Sequence, residues 1–159
     1  MHESSMNNMQ YFRDNFVKPI RILDVGSCDV NGSYRQLFSN AEYVGLDINP
    51  GPGVDVVGWD TIKPNSFNYV ISGQTFEHVE DDLALMIKIH EALKPGGMVC
   101  IIAPSEGPVH GYPEDYRRYK PEDMIELAEI TGLRVIETKI NGDSPWFDCV
   151  LVAQKRIAS

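Results

Sequence analysis

Two acidic residues and a loop of small residues carry the strongest chemical signal in this 159-residue chain. Asp24 and Gly26 close a short apolar segment, 21–25, that runs into Gly26-Ser27-Cys28-Asp29-Val30-Asn31-Gly32. Small residues there let the backbone approach a ligand closely. A second apolar segment, 42–46, delivers Asp47 roughly 20 residues after Gly26, the separation at which an acidic side chain bridges a ribose diol by charge-assisted hydrogen bonds. Singly, Gly26 reads equally as a tight turn and Asp47 as a cap. Together, in the order strand, glycine loop, strand, acid, they read as a nucleoside site. The loop is not Gly-x-Gly-x-x-Gly, because Cys28 and Val30 stand at the alternate positions and the next glycine is Gly32. That bulk suits a nucleoside without phosphates better than a pyrophosphate.

Other residues offer proton transfer and recognition. His78 and His110 are the candidate imidazole bases, each read alternatively as an ordinary capping or exposed histidine. His90 falls on an apolar helix face and reads as a core residue, and His2 as a mobile terminal one. Residues 104–119 form a long loop bearing His110, Tyr112, Tyr116, Arg117, Arg118 and Tyr119. Aromatic walls with guanidinium forks suit a small polar or anionic molecule. The plainer alternative packs Tyr116 and Tyr119 down and pairs Arg117 with Glu114 or Asp115. Four scattered histidines and three scattered cysteines give no zinc spacing, so no metal site is expected.

The elements that position these residues follow from hydrophobic period. Residues 4–18 predict a helix with Met9, Phe12 and Phe16 at helical spacing, stopped by Pro19 and able to serve as a lid. Ser33 would cap a short helix carrying Tyr34, Leu37 and Phe38, while 54–57 and 67–72 predict strands. A helix from Asp81 or Asp82 places Leu83, Met86, Ile87, His90 and Leu93 on one face and ends at Lys94 and Pro95-Gly96-Gly97. Residues 98–103 predict a doubly buried strand and 121–130 a helix. Residues 134–140 and 147–154 predict an antiparallel hairpin. This alternation predicts a single α/β domain over 1–159, mostly parallel with an antiparallel edge.

At this point the sequence resembles the class I S-adenosylmethionine-dependent methyltransferases, of the small methyltransferase type 11-like kind. Ile22-Leu23-Asp24-Val25-Gly26 and Tyr43-Val44-Gly45-Leu46-Asp47 are similar to that family's first motif and acidic post-motif. Phe67 to Ser72 followed by Phe76-Glu77-His78-Val79 resembles its fourth strand and the run after it, and Leu93-Lys94-Pro95-Gly96-Gly97 the turn before its fifth. The resemblance implies a Rossmann-like, mostly parallel seven-stranded sheet with an antiparallel last strand and helices on both faces. It implies S-adenosylmethionine as cofactor. Asp24, Gly26, Ser27 and Cys28 would face its methionine part, and Asp47 with Ile48 and Asn49 its ribose and adenine. Trp59 and Asp60 would lie on the adenine side, and backbone at Gly73 and Gln74 would meet its amino group. His78 and His110 then become candidate catalytic bases, and Tyr112, Tyr116, Arg117 and Arg118 candidate contacts to a small-molecule acceptor. Three departures stand out: Cys28 where the family has glycine, Asn68 where it has aspartate, and only residues 48–53 where it has a helix. The third strand is then reached by an extended link, or runs antiparallel; the extended link is preferred. Trp59 either stacks on adenine or covers the thinned edge.

Composition sets the remaining expectations. A formal charge of −9 argues against nucleic acid, and the longest apolar run is far too short for a membrane span. The absence of a leader pattern and of paired cysteines predicts a cytoplasmic protein. Two rival readings remain: a methyltransferase-like binding module without turnover, and a nicotinamide-dependent oxidoreductase.

Overall fold

The computed structural model describes residues 2–16, 21–29, 32–109 and 115–157. Seven strands form one sheet: β1 (Arg21–Val25), β2 (Glu42–Asp47), β3 (Val56–Val57), β4 (Phe67–Gly73), β5 (Leu93–Pro104), β6 (Leu133–Ile140) and β7 (Asp148–Lys155). Their spatial order is β3-β2-β1-β4-β5-β7-β6. The pairings from β3 through β5 are parallel, and β7 runs antiparallel to both β5 and β6. The last strand is therefore antiparallel as expected, but it lies inside the sheet, and β6 takes the edge. The reason is apolarity: residues 148–153 are buried throughout, whereas β6 is mostly half-exposed.

Helices cover both faces. α1 (Glu3–Phe16) and a 3-10 turn at Arg35–Phe38 pack Met9, Phe12, Tyr34 and Phe38 on Ile22, Ile71 and Cys100. On the other face α2 (Asp82–Ala92) and α3 (Pro121–Ile130) bury Met86, Ile89, Met124 and Ala128. Asp81 caps α2 by accepting the Ala84 N–H at 3.0 Å. The buried stripe of α2 is Leu85, Met86, Ile89 and Ala92, so the expected face was out of phase: Leu83 and Ile87 are exposed and His90 is half-buried. The run from Leu83 to Ile89 is apolar on several sides and fits two stripes; Leu93, counted into the helix by period, begins β5 instead. Lys94 was expected at the helix end, but Lys155 donates to the carbonyls of His90 and Leu93 at 2.8 and 2.9 Å.

The short link between β2 and β3 is extended, and β3 is parallel to β2, though cut to two residues of the four expected. Asp55 explains how so short a strand holds. Its N–H donates to the Gly45 carbonyl and its carboxylate accepts the Gly45 N–H, both at 2.8 Å. Arg35 pairs with that carboxylate at 2.6 Å and donates to the Gly53 carbonyl at 3.3 Å. The link crosses directly over Gly45, where a Cβ would sit 2.2 Å from the Gly53 carbonyl oxygen. Among the described residues, no helix is long and apolar enough to cross a membrane.

Candidate active site

Strand order reverses between β1 and β4, and in open α/β sheets ligands bind outside the carboxyl ends of the strands at such a point. Asp47 ends β2. One of its carboxylate oxygens accepts the Cys28 N–H at 3.1 Å and the other the Asn49 N–H at 3.2 Å. A carboxylate offers about four acceptor positions, so these two bonds orient it and leave two for a diol. Ile48 beside it is 76% exposed, an apolar surface of the kind an adenine ring covers.

The β1 loop spends its donors internally. Gly26 and Ser27 N–H groups both donate to the Leu46 carbonyl, Cys28 to Asp47 and Asp29 to the Pro52 carbonyl. None of these four amides remains to cradle a phosphate. What they leave suits a ligand that is uncharged along this loop. Cys28 is half-buried, and its Sγ lies 2.7 Å from where a Cβ on Gly51 would be, so the link packs on the loop at the position where the family has glycine. Gly26 has φ +81° and meets Thr75: its Cβ would fall 2.1 Å from Thr75 Oγ1. Thr75 thus seals the floor between the ends of β1 and β4.

Asp24 sits within the sheet, 3% exposed, its carboxylate accepting from the Tyr43 hydroxyl. Burial pushes its carboxyl up to about 7, the Tyr43 bond and nearby Arg35 pulling the other way. Trp59 packs against the apolar cluster under α2 with Lys88 Nζ 5.9 Å above its ring, which matches the edge-covering alternative, and Asp60 is exposed. Gly73 ends β4 and supports Tyr34, while Gln74, at φ +56°, donates its N–H to the Ile102 carbonyl.

At the start of β7 the structure gathers a cluster that sequence reasoning missed. Asp148, fully buried at the start of β7, accepts from His2 Nε2 at 2.7 Å, Ser4 Oγ at 2.8 Å and Gln74 Nε2 at 3.0 Å. His2, expected to be mobile, is fixed there and stacks on Trp146. A pairing 146 positions apart leaves no local trace in a sequence. His78 lies beside Glu77, its Nε2 3.7 Å from Glu77 Oε2. Arg118 grips Asp115 with two bonds, at 2.6 and 3.0 Å, and Arg117 donates to the Val79 and Glu80 carbonyls. Tyr119 is buried against Phe76 and Tyr116 is exposed. Both guanidinium forks therefore hold the loop closed, nearer the plainer alternative. Arg117 takes carbonyls and Asp82 at 3.5 Å rather than Asp115. His110 and Tyr112 lie outside the described residues, as do Pro19 and the side chain of Phe16. Among the described residues, no group of three or more acidic, histidine or cysteine side chains could hold a metal ion.

These features define the fold of the class I, Rossmann-like methyltransferases, and the comparisons agree. A methyltransferase domain model matches residues 58–101, which hold β4, α2 and the first part of β5 with Pro95-Gly96-Gly97. The chain is 32% identical over 103 residues to phosphoethanolamine N-methyltransferase 2 of Caenorhabditis elegans, covering 58% of this chain and 23% of that protein. It is 28% identical over 76 residues to demethylmenaquinone methyltransferase of Lysinibacillus sphaericus, covering 45% and 32%. The chain thus spans about a quarter to a third of the length of the curated relatives it matches. In structure it is similar to Burkholderia thailandensis 1,6-didemethyltoxoflavin-N1-methyltransferase, solved with bound 1,6-didemethyltoxoflavin and S-adenosylhomocysteine: TM-score 0.80 at 17% identity, over 97% of this chain and 79% of that one. The fold expected from the motifs is borne out.

Proposed function

We propose that the chain binds S-adenosylmethionine across the carboxyl ends of β1, β2 and β4 and methylates a small polar acceptor held beneath the loop after β5. The observation that carries this reading is the Asp47 carboxylate, fixed by two backbone N–H groups with acceptor capacity left over, beside the exposed Ile48. When bound, the cofactor supplies an electrophilic methyl group, so the chain's task is alignment and exclusion of water. Asp47 would hold the ribose hydroxyls, with Ile48 and Asn49 at the adenine. The carbonyls of the Gly26–Cys28 loop and of Gly73 suit an amino group, since the loop's N–H groups are spent. His78 would receive a proton from a hydroxyl acceptor. An anionic acceptor would reach Arg118 only by displacing Asp115. The free thiols Cys28, Cys100 and Cys149 suit a reducing, cytoplasmic setting.

A second reading, a binding module without turnover, is favoured by one feature: the 49–53 link packed on Cys28 and Ser27. Calorimetry with S-adenosylhomocysteine, then methyl transfer across an acceptor panel, separates the two. Binding with turnover supports the enzyme, and binding alone supports the module. Preference for NAD overturns both.

A further inference from the structure

We propose that the groove between α2 and α3 docks a basic amphipathic helix of a partner protein, its apolar side chains inward and its lysines or arginines along the rim. Docking here does not require the methyltransferase reading. Both helices lie on the same face of the sheet, and the groove between them has a volume of about 330 Å³. Leu127 and Tyr119 are its buried lining, and the Tyr119 hydroxyl donates to Asp82 Oδ2 at 2.9 Å, which fixes it to α2. Two large apolar side chains on its sides are left in water, Leu83 of α2 at 36% exposure and Ile130 of α3 at 62%. Ile87, also exposed, stands one turn beyond Leu83 on the same face of α2 and lengthens the stripe. Single exposed apolar residues need no explanation. Apolar side chains from two helices lining one groove present a surface that a third helix fills with its i, i+3, i+4 and i+7 positions.

Charge selects the occupant. α3 carries Glu122, Asp123, Glu126 and Glu129 with no lysine or arginine, so nothing in its last turn offsets the negative pole of the helix. Asp123 and Glu126 line the groove together with Asp82. Glu122, Glu126 and Glu129 are exposed, and among the described residues no cation pairs with them. The arginines at the groove are already engaged: Arg117 donates to the Val79 and Glu80 carbonyls, and Arg118 to Asp115. Lys120, just before α3, stands against those three carboxylates, and Lys88 of α2 lies over Trp59. A second copy of this chain would bring a formal charge of −9 and the same acidic helix, so pairing groove to groove would set like charges together. An anionic membrane surface is repelled in the same way. A cationic helix meets neither penalty. Its apolar side chains would cover Leu83, Leu127 and Ile130 while its ammonium or guanidinium groups meet the α3 carboxylates.

The test is an amide NMR titration of the full 15N-labelled chain with a synthetic helical peptide that repeats Leu-Lys-Lys-Leu-Leu-Lys-Leu, at about 0.15 M salt. Shifts should concentrate in α2 and α3, and Ile130→Ala, Leu83→Ala and Glu126→Lys should each weaken binding about fivefold or more. Glu3→Lys, the same charge reversal on the opposite face of the sheet, should change affinity by less than about twofold, because salt screens a charge that far from the groove. A scrambled peptide of the same composition should bind more weakly. Equal binding of the scrambled peptide, shifts centred elsewhere, or wild-type affinity in Ile130→Ala and Glu126→Lys overturns the proposal. So does a dimer in sedimentation that Ile130→Ala disperses, which makes the occupant a second copy, or binding to phosphatidylserine vesicles that the same variant abolishes. Each variant's own amide spectrum reports its fold, and the wild-type shift map decides should one of them unfold.

Discussion

The His2 imidazole lies 2.7 Å from the Asp148 carboxylate, so the start of the chain is fastened to the first residue of its last strand. Asp148 also takes Ser4 and Gln74, so one buried carboxylate ties α1, the end of β4 and β7 together. His2→Ala should leave the sheet intact and loosen residues 2–5 by about 1.5–3 kcal/mol, the scale of a hydrogen bond to a charged group. Amide hydrogen exchange at those residues, against unchanged exchange in β5, checks it.

Asp47→Ala should weaken S-adenosylhomocysteine binding by about 1.5–3 kcal/mol, again the scale of charge-assisted bonds. Two further bonds, to Cys28 and Asn49, are lost with it, so the β1 loop loosens as well. Calorimetry that returned wild-type affinity would remove Asp47 from the site.

Glu77 makes stability fall with rising pH. Its carboxyl moves from an ordinary 4.5 to about 8 on folding, so between those values the folded chain holds a proton that the unfolded chain has released. Stability from the protonated form is complete below the lower value and lost as pH passes the upper one. Asp24, raised to about 7, adds a slope of the same sign that ends sooner. Glu77→Gln, always neutral, should flatten the Glu77 part and gain about 1–3 kcal/mol over wild type above pH 8, measured by urea unfolding on both sides of that value.

Gly45→Ala should cost about 1–3 kcal/mol as an overpacking change. The new Cβ would meet the backbone carbonyl of Gly53, which the link cannot turn aside like a side chain. A lowered melting temperature with faster proteolysis within residues 49–53 is the expected pair of results.

Arg118→Ala should remove two bonds from the buried Asp115 carboxylate and free the carbonyls of Glu106 and Pro108, which Arg118 also holds. We expect about 1.5–3 kcal/mol of lost stability, and acceptor use impaired more than S-adenosylhomocysteine binding. Acceptor kinetics equal to wild type would limit the pair to holding the loop together.

Much of the fold could be read from short stretches, because the information is local. Apolar runs of strand length, the aspartate before α2, the proline opening α3 and the short link between β6 and β7, residues 141–147, each fix an element with no distant partner. Asp47 was legible for the same reason: it stands at a strand end at a telling distance from Gly26. The face of α2 was not, because its apolar residues satisfy two stripes and only packing chooses between them.

The sequence by itself determined a mostly parallel α/β sheet, its glycine loop and the acid that orients beside it. Only the tertiary structure decided that β7 lies inside the sheet, that Lys155 rather than Lys94 closes α2, and that both loop arginines are already engaged. It alone brought His2 to Asp148 and enclosed Glu77 with an unpaired oxygen. The physical reason is range: period and turn chemistry act over a few residues, whereas burial and charge pairing join side chains that meet only once the chain has closed on itself.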